Sequence, residues 1–340
     1  MLWTRAIGLP LKQSEVDFLI PELDHDLKLY VDPLLFYKSN LTEYQAVHAC
    51  LHEFFRLCID EVKKGNIDTA KRMLDFPEVH ETMLGTSKSN HKGRGMGSIR
   101  GGIILNEIIA NADVQQKGIT HIAEMQLLIE GVGYDLVSDM CTNIAKNFFI
   151  NYTQKQCQLY GINLEKNICL EHVFDWEELS WNDTHVDLPT HPDSGHPILL
   201  VPKSVVRRFP AFDYTSFWDT TYRYILRANM LDTAVHAIGK EPKVLWKEVK
   251  SEYGFSKKVV VKALHERPEL RHQYVDEFES KVKVNVSAVD LFKVQGNEQF
   301  NTPINDLITE LQEIKPGNKD AKKYGRPLKR EVFPNCCQVK

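Results

Sequence analysis

No apolar run in this chain approaches the roughly 20 residues that span a bilayer. The opening Met1-Leu2-Trp3-Thr4-Arg5 lacks the basic start and apolar centre of a secretory signal. The expectation is a soluble, cytoplasmic protein with no membrane partner. A charge field of one sign is also missing: 42 basic residues stand against 46 acidic ones, a formal charge of -4. Nothing global therefore advertises nucleic-acid binding, and any such contact has to be local. Cysteine is sparse and unpatterned. The seven are Cys50, Cys58, Cys141, Cys157, Cys169, Cys336 and Cys337; the odd count and the lack of a Cys-x-x-Cys pair argue against a disulfide frame or a zinc cage. They read as reduced core thiols, apart from the adjacent Cys336 and Cys337, which are expected to be exposed and prone to oxidation. No internal repeat, long low-complexity tract or complete catalytic motif is present.

What remains is a globular composition, long enough for one large domain or two of ordinary size. Thr42-Glu43-Tyr44-Gln45 reads as a capping box. It opens a helix carrying Val47, Leu51, Phe54, Phe55, Cys58, Ile59 and Val62 at helical spacing, closed by Lys63-Lys64-Gly65. Further helices are expected over residues 99–110, 122–129 and from Asp135, whose inner stripe is Val137, Met140, Ile144, Phe148 and Tyr152. From Ile168 the texture changes. Ile168-Cys169-Leu170 and Ile198-Leu199-Leu200-Val201 read as short strands separated by a polar loop over residues 181–197. Helical pattern returns over residues 217–238, 242–253, 256–265, 268–282 and 303–314. The expected fold is mainly α within the α+β class, with a small mixed or antiparallel sheet. The expected organisation is a helical domain over residues 1–165, an α+β and helical region over 166–315, and a linker or frayed tail over 316–340.

The most informative stretch is Glu130-Gly131-Val132-Gly133-Tyr134-Asp135-Leu136-Val137-Ser138-Asp139-Met140-Cys141-Thr142-Asn143. Its glycines permit a tight turn, and Asp135 and Asp139, at i and i+4, share one helix face. Glu130, Gly133, Asp135, Asp139 and Asn143 form a candidate ligand site, with Asp135 and Asp139 as candidate oxygen ligands for Mg2+ or Mn2+. The bland alternative has Asp135 capping the helix and Asp139 pairing with a nearby base. Upstream, Gly93-Arg94-Gly95-Met96-Gly97-Ser98 precedes a helix and can offer backbone N–H groups to a phosphate. Lys92, Gly93, Arg94, Gly95, Gly97 and Arg100 are the candidate phosphate-binding residues, set against a plain surface loop. The segment has neither the Gly-Lys-Ser/Thr ending of a Walker loop nor a strand leading into it.

Weaker patterns complete the inventory. His48 and His52 have zinc spacing but lack the glutamate of a metalloprotease motif, and His185, Asp187, His191, Asp193 and His196 enrich a polar loop. Between Lys240 and Lys283, basic residues alternate with Trp246, Tyr253 and Phe255. Two short helices joined through Gly254 have the outline of a helix-turn-helix, although interleaved acids also suit a solvated face. Asp306 and Glu313-Ile314-Lys315 imitate a nuclease order in a helix-like setting and read as coincidence.

Taken together, Asp32-Pro33-Leu34-Leu35-Phe36, the motif from Glu130 to Asn143, Tyr152-Thr153-Gln154, Leu200-Val201-Pro202-Lys203 and Lys315-Pro316-Gly317-Asn318-Lys319-Asp320-Ala321-Lys322-Lys323-Tyr324 resemble a poorly characterised group of bacterial proteins. In that group such a region is followed by a restriction-endonuclease-like domain of the PD-(D/E)XK type. The resemblance covers most of the chain up to Tyr324. Residues 325–340 lack the Asp and Glu-x-Lys strands of that nuclease core. The resemblance therefore implies a non-catalytic recognition or scaffold part of a restriction or phage-defence protein, contacting nucleic-acid phosphates and working with a nuclease or another defence subunit. The rival readings are a metal-dependent phosphoesterase or nuclease using Asp135, Asp139 and Glu130, and a structural assembly protein.

Overall fold

Apolar residues at helical spacing organise most of the chain. The computed structural model describes residues 1–85, 94–208, 212, 214–222, 226 and 246–281, and is mainly α with two small antiparallel two-stranded sheets. Helix α1 (Trp3–Ala6) and strand β1 (Tyr30–Val31) precede α2 (Pro33–Tyr37). Asp32 caps α2, its Oδ1 accepting from the Leu34 N–H at 3.0 Å, and Pro33 takes the first helical position, where a missing N–H costs nothing. The long α3 (Thr42–Lys64) buries the expected apolar stripe and stops at Gly65, whose φ of 83 is open to glycine. Its start corrects the capping-box expectation: the N-cap is Leu41 and no side chain caps the helix. Ser39 fixes the turn instead, its Oγ accepting from the Leu41 N–H at 3.1 Å and its carbonyl from Gln45 Nε2 at 3.2 Å.

Helices α4 (Ile67–Met73), α5 (Arg94–Ala110), α6 (Ala112–Lys117), α7 (Met125–Leu128), α8 (Tyr134–Ile144) and α9 (Lys146–Tyr160) follow. Because α5 begins at Arg94, Gly95 and Gly97 belong to its first turn and not to a preceding loop, a second correction. Gly101 lets α5 cross the end of α4: a Cβ there would lie 2.2 Å from the Leu74 carbonyl oxygen.

Strands β2 (Glu165–Asp175) and β3 (Ser180–Leu188) form a hairpin, so the first half of the expected polar loop is in fact a strand. That strand is mostly polar and part-exposed, which is why it read as loop, and its partner β2 carries two bulges. Asn167 and His172 take positive φ of 56 and 62 near the register shifts. Their N–H groups donate to Asp187 Oδ1 at 3.1 Å and Asp183 Oδ1 at 3.2 Å. The aspartates that gave the segment its loop-like composition thus pin the bulges. Conversely, residues 198–201 are not in a sheet. They run extended and buried, Leu199 N–H donating to the Glu81 carbonyl at 2.8 Å and Leu200 N–H to Thr153 Oγ1 at 2.8 Å. Strand β4 (Val206–Arg207) pairs antiparallel with β1.

One apolar core extends from Leu19 to Val206 and includes Leu170, Phe174 and Leu188 of the hairpin, so it passes the boundary expected after residue 165. A second core gathers α10 (Tyr214–Phe217), a π-helical turn (Trp218–Tyr222), α11 (Trp246–Tyr253), α12 (Lys257–Glu266) and α13 (Glu269–Lys281) around Phe212, Val249, Val260, Leu264 and Tyr274. Leu34, Ala123 and Leu127 from the first part join it, so the two cores share a seam. Among the described residues no helix is long and apolar enough to cross a membrane. Cys50, Cys58, Cys141 and Cys157 are buried thiols outside any disulfide among the described residues, and burial pushes the Cys58 and Cys157 thiols up to about 12. The expected helix at 303–314, the nuclease-like acids within it, the tail at 316–340 and most of 223–245 lie outside the described residues.

Candidate functional site

The turn that starts α8 is built as its glycines suggest. Gly131 takes φ 93 and Gly133 is the extended N-cap, so Asp135 sits in the first turn without capping it. Facing the core are Leu136, Val137, Met140, Cys141 and Ile144. The opposite row is Asp135, Asp139 and Asn143, and the chain from Pro77 to Gly85 runs antiparallel along it. Asn143 Nδ2 donates to the Pro77 carbonyl at 2.8 Å and the Val79 N–H to Asp139 Oδ1 at 3.4 Å. A Cβ on Gly85, whose φ is 121, would meet Asp135 Oδ1 at 3.4 Å. Asn143 is fully buried and its Oδ1 has no hydrogen-bond partner among the described residues.

Burial dominates the electrostatics of this row. It raises the Asp135 carboxyl above the ordinary carboxylate range, with Glu78 adding to the effect and Arg100 opposing it. Asp139 is raised further, by burial first and then by its neighbour Asp135, against weaker help from the Val79 N–H and Arg100. The sequence-based candidates therefore separate. Asp135, Asp139 and Arg100 share one electrostatic environment and Asn143 continues the same row, whereas Glu130 is exposed on the loop before Gly131. Arg94, Gly95 and Gly97 lie in the opening turn of α5, and Lys92 and Gly93 fall outside the described residues. Among the described residues no group of three or more His, Cys, Asp and Glu side chains is arranged to hold a metal ion. That statement covers His48 with His52 and the histidines of residues 185–196 as well.

The raised carboxyl gives a signed expectation. A folded state that prefers protonated Asp139 suffers nothing from its burial below the ordinary value of 3.8, and the cost grows as pH rises through the folded value. Asp139→Asn is neutral throughout. It is expected to melt higher than the parent at about pH 7 and to lose that advantage near pH 3. Thermal melts of the two proteins at both pH values check this, and equal melting at neutral pH would mean that Arg100 already compensates the charge.

A second polar constellation, at the seam between the cores, was not legible as a unit in the sequence. Tyr37, His48 and His121 place their rings 4.7 to 5.3 Å apart. His121 Nε2 lies 2.7 Å from Glu279 Oε1, and Lys38 Nζ donates to the Glu279 carbonyl at 2.5 Å. Burial pulls the His48 imidazole down to about 4, with His121 and His52 adding to the effect. Nearby, buried Arg271 bridges Glu124 and Asp113. These residues span positions 37 to 279, and no local spacing connects them; only the fold does.

Residues 8–213 match the family described as a domain of unknown function, DUF8370. No curated protein and no solved structure matches the chain. The match takes in the first core, the Asp135–Asp139 row and the β2–β3 hairpin, and the chain belongs to the DUF8370 family.

Proposed function

We propose that this protein is a non-catalytic recognition module of a restriction or phage-defence system that contacts nucleic-acid phosphates through the basic segment leading into α5. One observation carries the reading: Gly85, on one side of that segment, lies against Asp135, and Arg100, on the other, acts electrostatically on both Asp135 and Asp139. Lys88, Lys92 and Arg94 fall between these two anchors in sequence, and no acid occurs between Glu81 and Glu107. Phosphates held by these cations are then expected beside the Asp135–Asp139 row. Cutting is assigned to a partner subunit or a further domain.

Oligonucleotide binding at about 50 and 200 mM salt tests the proposal. Expected are binding at low salt, a steep loss at the higher salt, and a slope reduced by about one for each cation removed in Lys92→Ala, Arg94→Ala and Arg100→Ala. Absence of binding at low salt overturns it. Thermal melting with added Mg2+ or Mn2+ addresses the rival phosphoesterase reading, because a cation bound at Asp135 and Asp139 would raise the melting temperature.

A further inference from the structure

Helices α11 and α12 pack in the second core, which Leu34, Ala123 and Leu127 join from the first. Helix α11 ends at Gly254, with φ 76, and only Gly254, Phe255 and Ser256 separate it from α12. Ser256 Oγ caps α12, accepting from the Val259 N–H at 3.4 Å. Phe255 fixes the turn, its ring 5.0 Å from Trp218 and 6.2 Å from Tyr214. Val249 of α11 and Val260, Ala263 and Leu264 of α12 are buried together with Leu270, Tyr274 and Val275 of α13. A short glycine-containing turn between two helices packed on a third is the plan of a helix-turn-helix.

The outer face has the matching chemistry. Lys258, Lys262 and His265 of α12 and Lys247 and Lys250 of α11 are exposed, and no acid occurs between Glu252 and Glu266. Lys257 points elsewhere: its Nζ donates to the Val132 carbonyl, tying the start of α12 to the turn before α8. The acids facing α12 leave Lys258 and Lys262 available. Glu266 lies 3.8 Å from Lys262 with both side chains largely in solvent, a pair that water and salt weaken. Glu107 of α5 pairs with His265 at 3.1 Å and so sets α12 beside the helix that follows the basic segment.

We propose that α11 and α12 form a duplex-DNA reader in which α12 enters the major groove with Lys258 and Lys262 toward the nucleic acid. This rests on the phosphate-binding function proposed above and names its target. The B-form major groove, about 12 Å wide, admits a helix, whereas the deep, narrow major groove of A-form RNA does not.

Fluorescence anisotropy of the full chain with duplex DNA, single-stranded DNA and duplex RNA of one sequence, at about 50 and 200 mM salt, provides the test. Duplex DNA is expected to bind tightest. K258A/K262A is expected to weaken that binding roughly tenfold or more at low salt and to lower the salt slope by about two, with an unchanged thermal melt because both side chains are exposed. A preference for single strands or RNA overturns the inference. So does K258A/K262A binding duplex DNA like the parent, and if K92A/R94A/R100A then abolishes binding, the proposed function still stands. No binding of any nucleic acid by the parent overturns both.

Discussion

Replacing Arg271 with methionine is expected to cost about 3–5 kcal/mol of folding stability, a large part of the ~5–15 kcal/mol a domain usually has. The guanidinium is 1% exposed. Its Nη1 donates to Glu124 Oε2 at 2.8 Å, its Nη2 to Asp113 Oδ2 at 2.7 Å, and both nitrogens to the Gly118 carbonyl at 3.1 Å. Burial pushes the Asp113 carboxyl up, but His272, Arg271 and Lys117 together hold it below the usual range. Glu124 is 1% exposed and also accepts from the Thr120 and His121 N–H groups, at 2.8 and 2.7 Å. Methionine fills the space yet leaves this carboxylate buried without a counter-charge, and the loss falls on the attachment of α13 to the first core. Urea denaturation of the variant and of Arg271→Met/Glu124→Gln checks the mechanism. The double variant is expected to recover part of the loss, since it removes the stranded charge. A single-variant cost below about 1 kcal/mol would mean that water reaches the cluster.

The contrast between this cluster and α8 shows which features a sequence exposes. The start of α8 was legible because its apolar stripe and its acids repeat at the helix period and glycines mark its beginning, whereas its end at Ile144 was not, since the expected stripe ran on to Phe148 and Tyr152 of α9. The 3.6-residue period is imposed by the backbone, so it survives whatever surrounds the helix. Arg271 carries no such mark. In sequence it is one base among interleaved acids on α13, indistinguishable from a solvated helix face, and its burial depends on Asp113 and Glu124 about 150 residues away.

The β2–β3 hairpin was legible only in part: the expected strand Ile168-Cys169-Leu170 lies within β2, but β3 read as loop. Strand β3 is mostly polar and part-exposed, and its Asp183 and Asp187 accept from the N–H groups of His172 and Asn167 at the bulges of β2, so its composition is that of a loop. Residues 198–201 misled in the opposite sense. Four consecutive apolar residues read as a buried strand, but their backbone groups bond to scattered partners such as Glu81 and Thr153. The candidate site divides along the same line. Asp135, Asp139 and Asn143 could be named from spacing alone, whereas the segment from Pro77 to Gly85 that covers them could not, because it is irregular and contributes mainly backbone atoms.

Phe54→Ala is expected to be comparably severe, at about 3–5 kcal/mol, through a cavity instead of a stranded charge. Phe54 is fully buried near the middle of α3. Its ring lies 4.8 Å from Phe174, 5.6 Å from Phe76, 5.9 Å from Trp181 and 6.3 Å from Trp176, mostly edge to face or tilted. Three of these four partners belong to the hairpin or its turn, so this one side chain ties β2 and β3 to α3. Trp181 and His172 extend the contact: their rings stack at 4.3 Å, Trp181 Nε1 donates to the Met73 carbonyl at 3.0 Å, and His172 Nε2 lies 2.6 Å from the Asp75 carbonyl. Truncation removes the ring that Phe174 and Trp181 both pack on, and the polar anchors at Met73 and Asp75 hold the hairpin too firmly for it to collapse into the void. Relaxation is then incomplete and the cost stays near the upper end for this substitution. Phe54→Leu, which keeps most of the volume, is expected to cost roughly 1–2 kcal/mol. Urea denaturation followed by tryptophan fluorescence measures both, and Trp176 and Trp181 report the change locally. If Phe54→Ala and Phe54→Leu lose the same small amount, the hairpin is held by its polar anchors and not by the aromatic cluster.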